Sequence, residues 1–458
     1  MIIMSLNNEN SYGLIRKITM ASFIKKIINI QKRFNMQRII RAIMNTFASI
    51  FPFILIGTFA DAIEKACFSP NGFFTSIYHL NHIIPTPIFN GVHAILQIIT
   101  DITINISSVF AAFFIAKYIA KSYCKNEQMA GITGVIFFLM TTYNFNPKSR
   151  NVFFFNDLGM NNLLLAIIFG MFAGWLFTKL SQHHVMVKQQ KPTAEIMRQE
   201  LNDFIPIIVT LSIGALISYL IYLVAPLGIT KELYLFLAIP RQSHHQLFNI
   251  IRMIFFNNLM CCVGLYGPLN VLHQTTDLNQ TTANLNYAII HHSLANVPYP
   301  ISMHALYYTY ATFGGNGMVN GLIIAILLCS HNHYQRKIAK LSLVPNLLNF
   351  NSPLLVGLPI ILNPLLIIPF LITPVISVLI AYFFIKTGLV PPTVYPIPPT
   401  TPGILAAYLG TNCNIGALLV SILNLVIATL IYMPFVKMSD KLLNAINKEE
   451  SFIDETKK

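Results

Sequence analysis

Apolar runs about twenty residues long, the length that crosses the hydrocarbon core of a bilayer as an α-helix, recur throughout this chain. They fall at roughly 42–60, 94–119, 128–145, 160–179, 204–226, 248–272, 310–329, 352–385 and 412–435. In lipid every backbone N–H and C=O must find an internal partner, which leaves helices as the spanning form for runs of this length. Only 10% of the 458 residues are charged and 55% are apolar, whereas a soluble domain carries about a quarter charged residues. The chain therefore reads as an all-α integral membrane protein. The 352–385 block is too long for one helix and contains Pro359, Pro364, Pro369 and Pro374. Because proline removes a helical hydrogen bond, the block reads as a hairpin followed by a helix, giving about ten transmembrane elements.

The formal net charge of +14 would suit a nucleic-acid binder, but the cations are not spread as such a surface requires. They sit in particular loops: Arg16, Lys17, Lys25, Lys26, Lys32, Arg33, Arg38 and Arg41 near the start, then Lys117, Lys121 and Lys125, then Lys179, Lys188, Lys191 and Arg198, then Arg336, Lys337 and Lys340. Short basic loops stay on the cytoplasmic side, which puts both termini inside and excludes nucleic acid as the partner. The loops at 61–92, 146–158 and 227–245 are poor in lysine and arginine and alternate correctly with the basic ones. In residues 1–41 the stretch "LIRKITMASFIKKIINIQKRF" repeats apolar residues at helical spacing with cations opposite, the pattern of a helix lying on an anionic lipid surface. Lys25 and Lys26 interrupt what would be the apolar region of a signal peptide, and no small-residue cleavage pattern follows.

Cys67, Cys124, Cys261, Cys262, Cys329 and Cys413 form no C-x-x-C and have no histidine at zinc spacing. The pairs His183/His184, His244/His245 and His291/His292 fall in expected loops and lack the helical glutamate arrangement of a zinc hydrolase. Neither set points to a metal or a catalytic centre. Carboxylates are lopsided: between Glu232 and Asp440 the one acid is Asp277. Ion-coupled transporters keep ionisable groups inside the membrane for function, so their absence from the later spans speaks against that class. Asp101, in "IITDITINISS", lies inside an early apolar segment, with either a structural or an ion-coupling role open to it. Asp61 and Glu64 sit at the outer end of the first span.

Positive evidence comes from helix breakers. "LMCCVGLYGPLNVL" (259–272), "YATFGGNGMVNGL" (310–322), "NLLNFNSPLLVGLPIILNP" (346–364) and "VYPIPPTTPGILAAYLGTN" (394–412) all insert glycine, proline, asparagine or threonine into apolar surroundings. Interrupted backbone at membrane depth is tolerated only where it is buried in protein or lines a wet cavity, and transporters use such interruptions to present polar groups to a solute. Amides and hydroxyls both donate and accept, which suits a neutral polyhydroxylated ligand better than an ion.

These residues resemble the membrane component, enzyme IIC, of the bacterial sugar phosphotransferase system, in its lactose/cellobiose/chitobiose branch. The resemblance runs from "MQRIIRAIMNTFASIFPFILIGTFADAI" through "QKPTAEIMRQELNDFIP" and is most specific at "VPNLLNFNSPLLVGLPIILNPLLIIPF". There the family typically reads P-S-L-F-N-I-N-E-P-V-I-F-G-L-P-I-V-L-N-P, and Asn349, Asn351, Pro353, Gly357, Pro359, Asn363 and Pro364 match in one register. "GLYG", "FGGNG" and "IPPTTPGIL" are weaker matches to the family's G-I-H-G, G-G-S-G and V-P-W-T-T-P.

The resemblance implies a homodimer in the bacterial cytoplasmic membrane, in contact with lipid, with two re-entrant hairpins in the C-terminal half. It divides the chain into a surface helix (1–41), a scaffold and dimerisation region (42–230), a sugar-binding transport domain (231–436) and a cytoplasmic tail (437–458). The implied activity is uptake of a beta-linked disaccharide such as cellobiose, lactose or chitobiose, with no cofactor and no metal. A cytoplasmic IIB partner carries the phosphocysteine, and a IIA partner precedes it. The tail after residue 436 is short, so both are expected on separate chains. The implied sugar site draws on Tyr266, Gly264, Gly267, Asn349, Asn351, Ser352, Thr400 and Thr401, shaped by Gly314, Gly315, Gly317, Pro353, Pro359, Pro364 and Pro402. This chain departs from the family where the chemistry lies. Ser352 stands at the glutamate of N-E-P, Tyr266 at the histidine of G-I-H-G and Pro399 at the tryptophan of P-W-T-T-P. A serine can still hydrogen-bond a hydroxyl, but it offers neither a carboxylate base nor a charge-assisted bond. A divergent relative uncoupled from phosphorylation, acting as facilitator, sensor or relic, is the alternative function.

The charge pattern makes a direct test of orientation possible. With Lys188→Cys in a cysteine-free background, intact cells should leave position 188 unlabelled by a membrane-impermeant thiol reagent, and opened cells should label it. Labelling from outside would reverse the topology.

Overall fold

The computed structural model describes residues 37–143, 145, 155–181, 197, 201–226, 228–230, 232, 246–265, 267, 269, 278–358, 360–361 and 363–455. The surface helix expected before residue 41, most of the basic 182–200 loop, Tyr266 and Pro359 fall outside them. The described residues form helices and connecting turns. Seven helical segments are long and apolar enough to cross a membrane by length and composition: Arg38–Tyr78, Thr86–Ser122, Met160–Leu180, Phe204–Val224, Gln246–Val263, Pro364–Lys386 and Ile415–Leu443. Glu127–Thr141 and Asn316–Cys329 are shorter apolar helices.

In the first half, α1 (Arg38–Ile63) passes into a π-helical turn, Glu64–Phe68, and two short turns precede α2 (Thr86–Thr103). Then follow α3 (Ser107–Ser122), α4 (Glu127–Thr141), α5 (Leu163–Leu180) and α6 (Phe204–Val224). The apolar run expected as one element at 94–119 is instead bent. Helix α2 stops at Thr103, and the chain turns through 104–106 before α3 begins. Hydroxyls take up carbonyls at the bend: Thr103 Oγ1 donates to Ile99 O (2.6 Å) and Ser107 Oγ to Ile104 O (2.7 Å). Such back-bonding competes with the helical ladder and bends it. Helix α4 starts where Asn126 Oδ1 accepts from Met129 N (3.2 Å), an N-cap that satisfies one of the helix's orphan donors.

Helix α3 is the centre of this half because its small residues let three backbones meet. A Cβ added to Gly170 would lie 2.9 Å from Ala112 Cα, and one on Gly174 would lie 2.8 Å from Ala116 Cα. On the other side, Gly134 would meet Ala116 Cβ at 2.6 Å. Gly170 and Gly174 are four apart on one face of α5, the small-xxx-small spacing by which membrane helices pack closely without a hydrophobic driving force.

The second half contains α7 (Gln246–Val263), α8 (Leu278–His291), α9 (Val319–Cys329), α10 (His333–Leu347), α11 (Ser352–Gly357), α12 (Pro364–Lys386), α13 (Gly403–Gly410) and α14 (Ile415–Glu455). Its spine is α14, which continues without a break past residue 436. Asn424 Nδ2 donates to Tyr310 O (3.3 Å) and Ser377 O (3.2 Å), and Tyr432 OH donates to Gly317 O (2.6 Å). Asp440 closes the far end, accepting from Ser330 Oγ and from His331 N, each at 2.8 Å. The prolines of 352–385 do not all break helices. Pro353 and Pro364 occupy first turns, where the missing N–H costs nothing. Pro369 and Pro374 lie inside continuous α12, where Thr373 Oγ1 binds the Pro369 carbonyl at 2.6 Å. His291, expected in a loop, is the last residue of α8 and lies against Tyr287.

The close packing of α5 on α3 sets a stability test. Gly174→Leu forces a side chain into the Ala116 backbone, and such overpacking costs about 1–3 kcal/mol or more. The detergent-solubilised variant should lose its monodisperse size-exclusion peak at a lower temperature than the unmodified protein. Gly91→Leu, at a glycine with open space around it, should not shift it.

Candidate functional site

Three interrupted segments meet at one carboxamide. Asn349 follows the end of α10 with φ +71°, a left-handed conformation that asparagine tolerates better than most residues. From there its Oδ1 accepts from Gly314 N (3.1 Å), and its Nδ2 donates to Pro399 O (3.0 Å) and Thr401 O (2.9 Å). The loops 312–318, 348–352 and 398–402 are thereby tied together, and the amide pairs with the Gly314 N–H and the Pro399 and Thr401 carbonyls of the other two. Unsatisfied buried groups cost about 1–3 kcal/mol each, and this one side chain supplies partners for three main-chain groups of the interrupted segments.

A second asparagine joins the fourth segment. Asn351 Nδ2 donates to Asn316 O (3.3 Å), and Asn316 Oδ1 accepts from Asn257 Nδ2 (3.2 Å) and Tyr307 OH (3.2 Å). Asn316 Nδ2 points to Cys261 Sγ (3.0 Å), and Asn257 Oδ1 accepts from Leu269 N (3.0 Å). All four stretches singled out in the sequence thus share one polar junction. Local backbone makes this possible: Gly314, Gly315 and Gly317 have φ of +77°, +86° and +74°. A Cβ on Gly315 would also sit 2.9 Å from Asn349 O and 3.1 Å from Asn351 Cγ. Tyr307 is buried and lies in a π-helical turn, His304–Tyr308, a local irregularity frequent at functional sites.

The expected site residues are distributed around this junction. Ser352 is buried at the start of α11, directly after Asn351. Gly267 is pressed against Asn257, whose Oδ1 would lie 2.0 Å from an added Cβ. Gly264 faces elsewhere: its carbonyl accepts from Leu164 N (3.0 Å), linking the second half to the start of α5. Thr400 Oγ1 accepts from Phe73 N (3.0 Å), while the buried Thr401 Oγ1 has no hydrogen-bond partner within the described chain. Pro402 precedes the first turn of α13. Tyr266 and Pro359 lie outside the described residues. Asn257, Asn316 and Tyr307 were not among the expected site residues. The signal for two of them was present, since Asn316 lies within "FGGNG" and Asn257 heads a pair of asparagines in the apolar "MIFFNNLM".

The junction is neutral. Its groups are amides, hydroxyls and main chain, able to exchange hydrogen bonds with a polyhydroxylated solute but not to act as a carboxylate base. Among the described residues, no three or more His, Cys, Asp or Glu side chains are grouped to hold a metal ion.

Comparison with known proteins places the chain among relatives of one family. A family described as "Phosphotransferase system, EIIC" matches residues 44–374. The oligo-beta-mannoside-specific EIIC component of Bacillus subtilis (strain 168) is 24% identical over 437 residues, covering 94% of this chain and 96% of that protein. The cellobiose-specific EIIC component of Lactococcus lactis subsp. lactis (strain IL1403) is 30% identical over 298 residues, 60% of each chain. Among solved structures, the transporter ChbC, the IIC component of the N,N'-diacetylchitobiose-specific phosphotransferase system, is similar at 21% identity and a TM-score of 0.41, over 93% of this chain and 98% of that one. The chain belongs to the phosphotransferase system EIIC family.

Proposed function

We propose that this chain is the sugar permease, the enzyme IIC component, of a phosphoenolpyruvate-dependent phosphotransferase system, moving a beta-linked disaccharide such as cellobiose, lactose or chitobiose across the membrane by alternating access. The observation that carries the reading is the neutral junction at Asn349 and Asn316, where four interrupted segments bring amides and hydroxyls together. Similarity over nearly the whole length to an oligo-beta-mannoside component supports the substrate class. In this reading the sugar contacts Asn351, Ser352, Thr400 and Thr401, together with Gly267 and Tyr266. Asn349 and the glycines Gly314, Gly315 and Gly317 hold the frame.

The same reading takes residues 42–230 as scaffold and dimer interface of a homodimer, and 231–436 as the part that carries the sugar. About ten membrane elements result when the shorter apolar helices and two re-entrant hairpins, built on α11 and α13, are added to the membrane-length ones. Both termini face the cytoplasm, the membrane is the bacterial inner one, and IIB and IIA phosphocarriers supply phosphate.

A second reading is favoured by Ser352, Tyr266 and Pro399 at the positions where the resembled family has glutamate, histidine and tryptophan. It takes the chain as a divergent paralogue that binds or passes sugar without phosphorylation. Neutral hydrogen bonds contribute only about 0.5–1.5 kcal/mol each, so binding by such a pocket is weak. Membrane vesicles given labelled disaccharides and a phosphorylated IIB protein separate the two. The permease reading expects sugar 6-phosphate from the unmodified chain; the uncoupled paralogue expects sugar binding with little product, and more from the double variant Ser352→Glu with Tyr266→His. Abundant product from the unmodified chain would rule out the uncoupled paralogue. A chain that neither binds nor moves any disaccharide would contradict both readings.

A further inference from the structure

The neutral junction has a charged neighbour in the first half. At the end of α1 and in the π-helical turn, Asp61 Oδ1 pairs with Lys65 Nζ at 2.7 Å and Glu64 Oε1 pairs with His93 Nδ1 at 2.9 Å. Asp101 lies nearby on α2, its Oδ1 accepting from Asn105 Nδ2 at 2.7 Å. The two carboxylates at 61 and 64 are buried, while the side chains of Lys65 and His93 are 52% and 37% exposed. Ionisable groups among membrane helices are costly and mark function by default. A π-helical turn is also the kind of irregularity that re-aims side chains at a site.

Two contacts join this cluster to the junction. Lys65 Nζ stands 5.5 Å from the ring centroid of Phe350, the residue between Asn349 and Asn351. Beyond the same turn, Phe73 N donates to Thr400 Oγ1 (3.0 Å). Gly72 makes that approach possible, since a Cβ there would lie 2.5 Å from Ala66 O. Helix α1 flanks the segment along its length: at the other end of α11, a Cβ on Gly357 would lie 2.5 Å from the Phe51 ring. The neighbouring Thr401 hydroxyl is buried and has no protein partner among the described residues, as expected of a group kept for a ligand.

We infer that Glu64 and Lys65, held by His93 and Asp61, form a charged hydroxyl-binding wall of the sugar site and determine which disaccharide it accepts. This inference rests on the sugar-permease reading. The carboxylate accepts from a sugar hydroxyl and the ammonium donates to one, each giving a charge-assisted bond stronger than the junction's neutral groups can give. The ion pairs hold the four side chains in place and keep the buried charge compensated. Phe350, under the Lys65 ammonium, offers an aromatic face beside them.

The test uses the full chain in lipid nanodiscs and equilibrium binding of labelled cellobiose, lactose and N,N'-diacetylchitobiose, followed by monodeoxy analogues of whichever binds most tightly. Glu64→Gln and Lys65→Met should each weaken binding about tenfold or more, in line with the strength of a hydrogen bond to a charged group. For the analogue lacking the contacted hydroxyl, unmodified protein and variant should bind alike. His93→Gln should give a smaller loss with the same analogue dependence. Asn351→Ala serves as the reference for the sugar site itself. If it weakens binding while Glu64→Gln and Lys65→Met do not, the charged wall is refuted and the permease reading stands. Equal losses for every analogue would assign the cluster a structural role and overturn the inference. Absence of binding to all three sugars by the unmodified chain, or undiminished binding by Asn351→Ala, would remove the sugar-site reading and this inference with it.

Discussion

Breaking a helix at membrane depth leaves main-chain groups that water cannot reach, and the second half of this protein depends on the way Asn349 answers that problem. Its single amide binds one N–H and two carbonyls from two other interrupted segments. Replacing those bonds with helix would remove the irregular backbone, and with it the polar surface. The asparagine side chain is suited to the task because it combines acceptor and donors at fixed separation. Asn316 extends the principle, using its main-chain carbonyl toward Asn351 and its side chain toward Asn257, Tyr307 and Cys261.

The two halves are held by different physics. Around α3, association comes from close backbone approach at Gly134, Gly170 and Gly174, which rewards van der Waals contact and needs few polar groups. Around the junction, amide and hydroxyl bonds are added to a buried apolar cluster that includes Ile254, Leu306, Phe313 and Met318, and α14 supplies a spine through Asn424 and Tyr432. Helix α1 belongs to both, packing within the first bundle and running along α11 as far as the Lys65 contact with Phe350.

Much of this was legible in the sequence because hydropathy and breaker residues are local signals. The runs at 42–60, 160–179 and 204–226 correspond to α1, α5 and α6, and the 352–385 block divides into α11 and α12. The bend at 104–106 was not legible, since "TINISS" contains no proline or glycine and the break follows from hydroxyl back-bonding. Pro369 and Pro374 misled in the opposite direction: proline lacks a donor wherever it stands, but the surrounding helix persists through both. At the site, Asn349, Asn351, Ser352, Thr400 and Thr401 stood out as polar residues in apolar surroundings. The partners that join them did not, because Asn257, Asn316 and Tyr307 come from distant positions and only the fold brings them together. The charged cluster was visible residue by residue at Asp61, Glu64 and Asp101, yet its approach to Phe350 and Thr400 depends on a π-helical turn that no local spacing announces.

The central claim is that the junction tied by Asn349 and Asn316 is where the sugar sits. A cryo-electron microscopy map of the full chain in nanodiscs, recorded with saturating cellobiose or whichever disaccharide binds most tightly, tests it most directly. The expected result is disaccharide density in contact with Asn351, Ser352 and Thr401. Density confined to the helices before residue 230, with the 312–318, 348–352 and 398–402 segments unchanged and without ligand, would contradict it.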